Sequence, residues 1–340
     1  MITFRTREKA DMNTSCSTTE SRFRCRFRLG SWLLALACLL FATSLPAAQL
    51  DKPKGKGFAS PQAAVSALVE AARRADAQAL LAILGPDAKD IVFSGDSVEG
   101  RREAANFVRS YDEKHLLKMT SPTSASLMID KDGWTFPIPI VKIDRQWYFD
   151  VEAGKEELIN RRIGRNELTA IQVMQAYVNA QLEYASKDRD GDGILEFAQK
   201  IKSDPGQKNG LYWPVKEGEA PSPFGPLIAL AASEGYQHSD AGPQPYHGYY
   251  FKIVTRQGPN APGGAYDFVV NGNMILGFGM IAYPAKYGVS GIMTFAVNQQ
   301  GVIYECDLGE KTAEIINKMA KYNPDEHEWR KVSDKYLDFD

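Results

Sequence analysis

Along residues 58–111 the apolar side chains recur three and four positions apart, which predicts amphipathic helices. Ser60 and Pro61 predict the start of the first helix, because serine caps a helix and proline fits its first turn. A second predicted helix, 77–84, ends before Gly85, and a third follows Gly100. The first part of the chain therefore begins with a group of short helices.

The pattern then changes to that of strands, which are predicted at 125–129, 134–143 and 146–151. Pro137 and Pro139 confine the middle strand to an edge or a bulge, because proline cannot donate to a sheet ladder. Helices followed by a curved antiparallel sheet resemble the cone-shaped fold of nuclear transport factor 2. That resemblance covers about 90 residues and implies an α+β domain.

A long helix is predicted to begin near Lys155, to break at Gly164 and to continue over 166–187. A short second helix is predicted at 194–201. The segment 203–248 is rich in proline and glycine, with scattered aromatic residues that form either a ligand groove or a loop pinned to the core. The last third predicts an antiparallel sheet and a final helix, at 249–255, 265–270, 274–284, 290–297, 302–307 and 312–322.

The N-terminus has the pattern of a secretory signal. Arginines precede an apolar run at 32–42, and small residues follow it, so cleavage is expected near Ala47 or Ala48. A competing interpretation is an uncleaved anchor, because residues 29–45 approach the lower limit of about 17 residues for a membrane helix. The signal predicts a periplasmic or secreted protein.

The chain therefore divides into predicted parts, which are a signal peptide at 1–48, a flexible leader at 49–57, an α+β domain at 58–160, a helix-plus-sheet domain at 161–332 and a tail at 333–340. Without the signal the chain carries 33 basic and 39 acidic side chains. That balance argues against nucleic acid as a partner, and membrane contact is expected only through an uncleaved signal. Cys306 is the one cysteine left, which excludes a disulfide within one mature chain.

Alternating carboxylates form the most specific motif of the sequence, Asp188-Arg189-Asp190-Gly191-Asp192-Gly193. Oxygen ligands at positions 1, 3 and 5, with glycine at position 6, match the first half of a helix–loop–helix Ca²⁺ site. The twelfth position carries Gln199 where such a loop has a glutamate. The alternative is an acidic turn that binds no metal and whose aspartates cap the next helix. The predicted ligands of a structural Ca²⁺ are Asp188, Asp190, Asp192, Ile194 through its carbonyl, Glu196 and Gln199.

His247 is the weak catalytic candidate, because an imidazole among tyrosines can act as a general base. It would need a carboxylate such as Asp267 or Asp240 nearby. The alternative is a half-buried histidine with a structural role. The basic cluster 161–165 also has two interpretations. It could bind an anionic ligand, or it could pair with Glu156, Glu157 or Glu167.

Several motifs resemble a bacterial family of exported proteins, DUF2950, over residues 58–332. They include Arg161-Arg162-Ile163-Gly164-Arg165, the carboxylate loop, Gly210-Leu211-Tyr212-Trp213-Pro214 and Pro245-Tyr246-His247-Gly248-Tyr249-Tyr250. The resemblance implies no established activity. A weaker likeness of residues 291–304 and the preceding helix is to the globular heads of pilins and pseudopilins.

Two functions follow as hypotheses. The first is a non-enzymatic envelope protein that binds a protein or small-molecule ligand, with Ca²⁺ stabilising its second part. The second is a hydrolase-like periplasmic enzyme that uses His247 with nearby carboxylates. A convergent pocket around His247 favours the enzyme, whereas a groove or apolar cavity favours the binding module.

Overall fold

A computed structural model describes residues 53–237, 242–325 and 328–337, so the signal segment 1–48 lies outside the described residues. The helices are α1 Pro61–Arg73, α2 Ala77–Leu84, α3 Lys89–Val92, α4 Ser97–Glu113, α5 Lys155–Ala185, α6 Gly225–Ser233 and α7 Thr312–Lys318. The strands are β1 His115–Ser121, β2 Ser124–Ile129, β3 Trp134–Thr135, β4 Ile140–Ile143, β5 Gln146–Phe149, β6 Tyr249–Val254, β7 Arg256–Gln257, β8 Tyr266–Asp267, β9 Val269–Val270, β10 Asn273–Met274, β11 Gly279–Pro284, β12 Thr294–Asn298, β13 Tyr304–Cys306 and β14 Arg330–Lys331. These elements confirm the predicted α+β class.

Side-chain caps fix the starts of the first helices. Ser60 accepts from the Ala63 amide at the start of α1, as predicted, and Asp76 caps α2 in the same way. The third long helix begins earlier than predicted, because Asp96 accepts from the first amides of α4. The helix start therefore lies at the carboxylate cap and not at Gly100.

The first sheet is antiparallel, with strand order β1-β2-β4-β5 and β3 paired to β2. The single strand predicted over 134–143 is wrong, because Pro137 and Pro139 interrupt it and leave β3 and β4 as separate strands. Strand β1 was not predicted, since it lies at the sheet edge and most of its side chains are exposed. Helices α1 and α2 pack on this sheet around a core that includes Leu68, Leu84, Leu127, Ile138, Ile140 and Phe149.

Helix α5 is continuous from Lys155 to Ala185, so the predicted break at Gly164 is wrong. Gly164 is exposed, and a side chain there would meet nothing within 4 Å. A single glycine in an exposed helix interior costs only about 1 kcal/mol relative to alanine, which tertiary packing overrides. The predicted domain boundary at residue 160 therefore falls inside one helix.

The second sheet is also antiparallel, with strand order β14-β13-β12-β11-β6. Helix α5 lies against β11 and β12. Its buried residues pack with the sheet in a second core that includes Met174, Tyr177, Tyr184, Tyr249, Phe278 and Phe295. Helix α5 thus packs against the first part of the fold near its start and against the second core along the rest of its length.

The segment after the carboxylate loop is not a helix, contrary to the prediction for 194–201. Phe197 instead forms a bridge with Met274, and the chain runs along the hairpin of β9 and β10. This pairing of Phe197 with the hairpin replaces the helical pattern. The following proline-rich segment is pinned to the second core by Leu211, Trp213 and Phe224, which favours the interpretation as a loop over that of an open groove.

Candidate functional site

The structure brings three of the six predicted metal ligands together. The carboxylates of Asp188, Asp190 and Asp192 are exposed, and one oxygen of each lies within 4.8 Å of the others. Asp188 accepts from the amides of Gly191 and Gly193, and these hydrogen bonds lower the pKa of its carboxyl group. The loop therefore holds three carboxylates close together on the surface.

Of the other predicted ligands, Glu196 and Gln199 contact the hairpin of β9 and β10. Glu196 accepts from the Met274 amide at 3.1 Å, and burial raises the pKa of its carboxyl group. Gln199 donates to the carbonyl of Gly272, and the amide of Ile194 donates to Asp192. The arrangement is a loop followed by a hairpin, and it lacks the second helix of a helix–loop–helix site.

His247 lies at the centre of a cluster of charged side chains that is buried in part. Its Nε2 is 2.9 Å from Oε2 of Glu234, and its Nδ1 is 3.2 Å from Oε2 of Glu99. The Glu99 side chain is 2 % exposed and also accepts two hydrogen bonds from Arg102. We call His247, Glu99, Glu234, Arg102 and Asp96 the histidine cluster.

The electrostatics of the histidine cluster favour a protonated imidazole. Burial alone would lower the pKa of His247, but hydrogen bonds to Glu99 and Glu234 raise it above its ordinary value. Burial would raise the pKa of Glu99, yet hydrogen bonds from His247 and Arg102 lower it to about 2. Both ring nitrogens of His247 are engaged with carboxylates of the protein, so neither is directed at open space where a substrate could lie.

Asp96 connects the cluster to the start of β6. Its Oδ1 accepts from the amides of Val98 and Glu99, each at 3.0 Å. Its Oδ2 accepts from the Tyr236 hydroxyl at 2.9 Å and from the Gly248 amide at 3.0 Å. Tyr236 in turn accepts from the amide of His247. One carboxylate therefore caps α4 and holds a distant backbone segment.

The predicted partners of His247 are not those found. Asp267 lies in β8 and pairs with Arg256, and Asp240 lies outside the described residues. His247 was predicted to lie among tyrosine hydroxyls. The hydroxyl of Tyr246 donates to the same Glu234 oxygen that contacts His247. Burial raises the pKa of the Tyr246 hydroxyl, so it remains a donor at neutral pH.

A cavity of about 680 Å³ lies between α1, α2, α4, the first sheet and the start of α5. We call it the apolar cavity, because most of its wall is hydrophobic. The apolar lining residues are Leu68, Ala72, Leu80, Leu84, Ile91, Val92, Ala104, Phe107, Ile129, Trp134, Phe136, Ile138 and Leu158. The size is within the range of about 300–1,000 Å³ that is usual for small-molecule sites.

One side of the apolar cavity carries arginines of α5. Arg162 is buried, and its guanidinium donates to Glu103 and to the carbonyls of Asp90 and Ile91. Arg165 also pairs with Glu103. The cluster was predicted to pair with nearby glutamates, and Arg161 does pair with Glu157. Glu167, another predicted partner, instead accepts hydrogen bonds from the amides of residues 292 and 293.

Trp134 contributes a polar group without a partner. Its Nε1 is buried, and within 53–237, 242–325 and 328–337 nothing accepts a hydrogen bond from it. The guanidinium of Arg161 lies over its ring, 5.3 Å from the ring centroid. A buried donor that is left unsatisfied costs about 1–3 kcal/mol.

Residues 55–332 match the family model described as a protein of unknown function (DUF2950). The chain belongs to the DUF2950 family. No curated protein and no solved structure matches it. The likenesses of its two parts to nuclear transport factor 2 and to pilin heads therefore stay predictions. Within the described part of this DUF2950 protein, no helix combines the length and apolar character needed to cross a bilayer.

Sequence reasoning missed Glu99, Glu234, Arg102 and Asp96 in this DUF2950 protein. One signal was present, because Asp96 followed three positions later by Glu99 is the pattern of a helix N-terminus with a capping box. Nothing local indicated the second role of Asp96 or the convergence of Glu99 and Glu234, since these residues are separated by 135 positions. Only the tertiary fold brings them to His247.

Proposed function

We propose that this protein is an exported, non-enzymatic binding module whose apolar cavity holds a small molecule. The observation that carries the proposal is the cavity of about 680 Å³, whose wall is formed largely by apolar side chains. An apolar cavity with a few polar groups is the usual form of a ligand site. The alternative of a hydrolase that uses His247 has less support, because both of its ring nitrogens face carboxylates.

Gly100 provides a test of the cavity. It lies in the wall of the apolar cavity, and also in that of a second cavity of about 770 Å³ at the start of α4. A Cβ at this position would meet no atom within 4 Å, so a larger side chain can extend into open space. Because Gly100 is helical, its replacement by leucine should also favour the helix.

Gly100→Leu is expected to weaken binding of anilinonaphthalene sulfonate, a fluorescent apolar probe, at least about tenfold while the protein stays folded. The matched control is Gly164→Leu, which places the same side chain on exposed helix surface outside the cavity. Fluorescence titration measures affinity, and circular dichroism measures folding. Equal probe affinity in both variants would contradict the proposal.

A structural Ca²⁺ in the carboxylate loop is a second part of the proposal. It is supported by the three exposed carboxylates that lie within 4.8 Å of one another. Repulsion among these ionised groups would fall when a divalent cation binds, and binding to the folded state alone raises stability.

Thermal unfolding is therefore expected at a higher temperature with added Ca²⁺ than with EDTA. Asp190→Ala should remove the difference, whereas Asp132→Ala, a change at an exposed aspartate outside the loop, should leave it intact. Differential scanning calorimetry measures the transition. Coincident curves with Ca²⁺ and EDTA for the unchanged protein would exclude a stabilising site.

Export rests on the arginines, apolar run and small residues of 1–48. Residue 48 or 49 is expected at the start of the mature chain, according to whether cleavage follows Ala47 or Ala48. N-terminal sequencing of protein recovered from the periplasm measures this. An intact N-terminus in the membrane fraction would favour the uncleaved anchor instead.

A further inference from the structure

Two cavities meet beside α4. The apolar cavity lies between α4 and the first sheet, and the second cavity, of about 770 Å³, lies at the start of the same helix. The residues that line both of them are Leu80, Val92, Gly100 and Ala104. Since glycine has no side chain and alanine only a methyl group, two cavities that both border Gly100 and Ala104 lie within one residue's width of each other. The two spaces are therefore adjacent, and α4 carries their junction.

The junction is open because position 100 carries no side chain. Gly100 lies inside α4, where glycine is less favourable than alanine. A Cβ at this position would meet nothing within 4 Å, so no close neighbour requires a glycine there. The next turn of the same face carries the small side chain of Ala104. A side chain larger than these would occupy the space in which the two cavities meet.

The path through the junction is apolar. None of the four residues that line both cavities has a polar side chain. Past the junction, the second cavity is bordered by Phe93, Val98 and Pro245, and Phe93 is 37 % exposed. Polar side chains such as Ser97 and Gln244 lie there as well, and both are exposed to solvent. An apolar group can therefore cross the junction, whereas a polar group would lose hydrogen bonds to water there without replacement by these side chains.

We propose that the ligand is a long, flexible apolar chain, an unbranched alkyl or acyl group, which lies across Gly100 and occupies both cavities at once. The inference rests on the proposed function, since it names the ligand class of the apolar cavity. Each cavity alone is within the usual range of about 300–1,000 Å³ for a small-molecule site, and the two together exceed it. A compact ligand fills one of them, whereas a chain buries apolar surface along the whole path.

Alkyl maltosides of increasing chain length test the ligand class, because their neutral headgroup keeps charge out of the comparison. Isothermal titration of the folded mature protein measures hexyl, octyl, decyl, dodecyl and tetradecyl maltoside, each below its micelle-forming concentration. Burial of each added methylene is expected to raise affinity by up to about fourfold. We expect affinity to rise along the series and one tetradecyl chain to bind per protein. Two tetradecyl chains per protein would show that the cavities are filled separately, and would overturn the inference.

Two variants close the path at different points. Gly100→Leu fills the junction and should weaken the tetradecyl chain more than the hexyl chain, which fits in the apolar cavity alone. Ser97 lines only the second cavity and is exposed at the first position of α4, so Ser97→Trp is expected to fold even if Gly100→Leu does not. Ser97→Trp should weaken tetradecyl maltoside about tenfold and leave hexyl maltoside unchanged. Ala105→Trp is the control, because Ala105 is exposed on α4 and lines neither cavity.

The outcomes separate this inference from the proposed function. If Ser97→Trp weakens the hexyl and tetradecyl chains equally, or neither of them, the chain does not span the two cavities and the inference is wrong. The proposed function still stands in that case when Gly100→Leu weakens binding of anilinonaphthalene sulfonate. If that probe binds and no maltoside does, the chain class is wrong. If Gly100→Leu changes the affinity of neither kind of probe, the proposed function fails as well.

Discussion

Asp96→Ala is expected to lower the free energy of unfolding by about 4 kcal/mol, the largest single effect we expect among the described residues. The change removes the cap of α4, which is worth about 1–2 kcal/mol. It also leaves the hydroxyl of Tyr236 and the amide of Gly248 without their acceptor. Buried donors without partners cost about 1–3 kcal/mol each, so these losses exceed that of the cap alone.

Urea unfolding followed by circular dichroism measures this difference. Asp76→Ala is the matched control, because the Asp76 side chain caps α2 through one hydrogen bond and makes no other among the described residues. Its loss should be about 1 kcal/mol. In a Tyr236→Phe background the cost of Asp96→Ala should fall, since one of its donors is already absent. Similar losses for Asp96→Ala and Asp76→Ala would refute the bridging role of Asp96.

Glu99→Gln is expected to destabilise the protein by about 2 kcal/mol near neutral to mildly acidic pH. The Glu99 side chain is 2 % exposed and receives hydrogen bonds from Arg102 and His247. Removing one member of a buried ion pair commonly costs about 3–5 kcal/mol. The smaller value is expected because Arg102 is 36 % exposed, so that solvent screens its charge.

The destabilisation should depend on pH in a defined way. The pKa of Glu99 is lowered from 4.5 to about 2, so its contribution is present above pH 4.5 and is lost as the pH falls toward 2. The pKa of His247 is raised above 6.5, so its contribution is present below pH 6.5 and is lost as the pH rises through the folded-state value. The difference between the unchanged protein and Glu99→Gln should therefore be largest between pH 4.5 and 6.5.

Chemical unfolding at a series of pH values from about 3 to 9 measures this profile. Glu70→Gln is the control, because Glu70 forms an exposed pair with Arg74 on α1 and should show little effect at any pH. A constant difference across the series would show that the charge of Glu99 is not coupled to His247. A difference that keeps its full value from pH 4.5 to 9 would show that the charge of His247 does not contribute to it.

The sequence predicts those parts of the fold that are decided by neighbouring residues, and it fails where contacts between distant residues decide. The caps at Ser60 and the helical spacing of α1 and α2 are local, and the structure confirms them. The break at Gly164 and the helix at 194–201 are wrong because tertiary contacts decide both segments. Packing of α5 outweighs one glycine, and pairing of Phe197 with Met274 outweighs an apolar helical pattern.

The candidate site was less predictable than the fold. The carboxylate loop is contiguous, and its three aspartates converge as the spacing indicates. His247 was predicted as a catalytic candidate, and that stays a prediction; the carboxylates that contact it come from α4 and from the end of α6. The apolar cavity could not be derived from sequence, because it is the space that remains after helices and sheet pack. Its lining residues are individually ordinary core residues.

The continuous helix α5 has a consequence for how the chain can vary in length. Leu158 and Arg162 near its start border the apolar cavity, whereas Ala170, Met174 and Tyr177 lie in the second core. Each residue of an α-helix turns the chain by about 100°. One residue inserted between these two groups would rotate the second group away from its sheet, although substitutions such as that at Gly164 are accommodated. An insertion between Leu158 and Ala170 is therefore expected to destabilise the protein more than a substitution at an exposed position of the same interval.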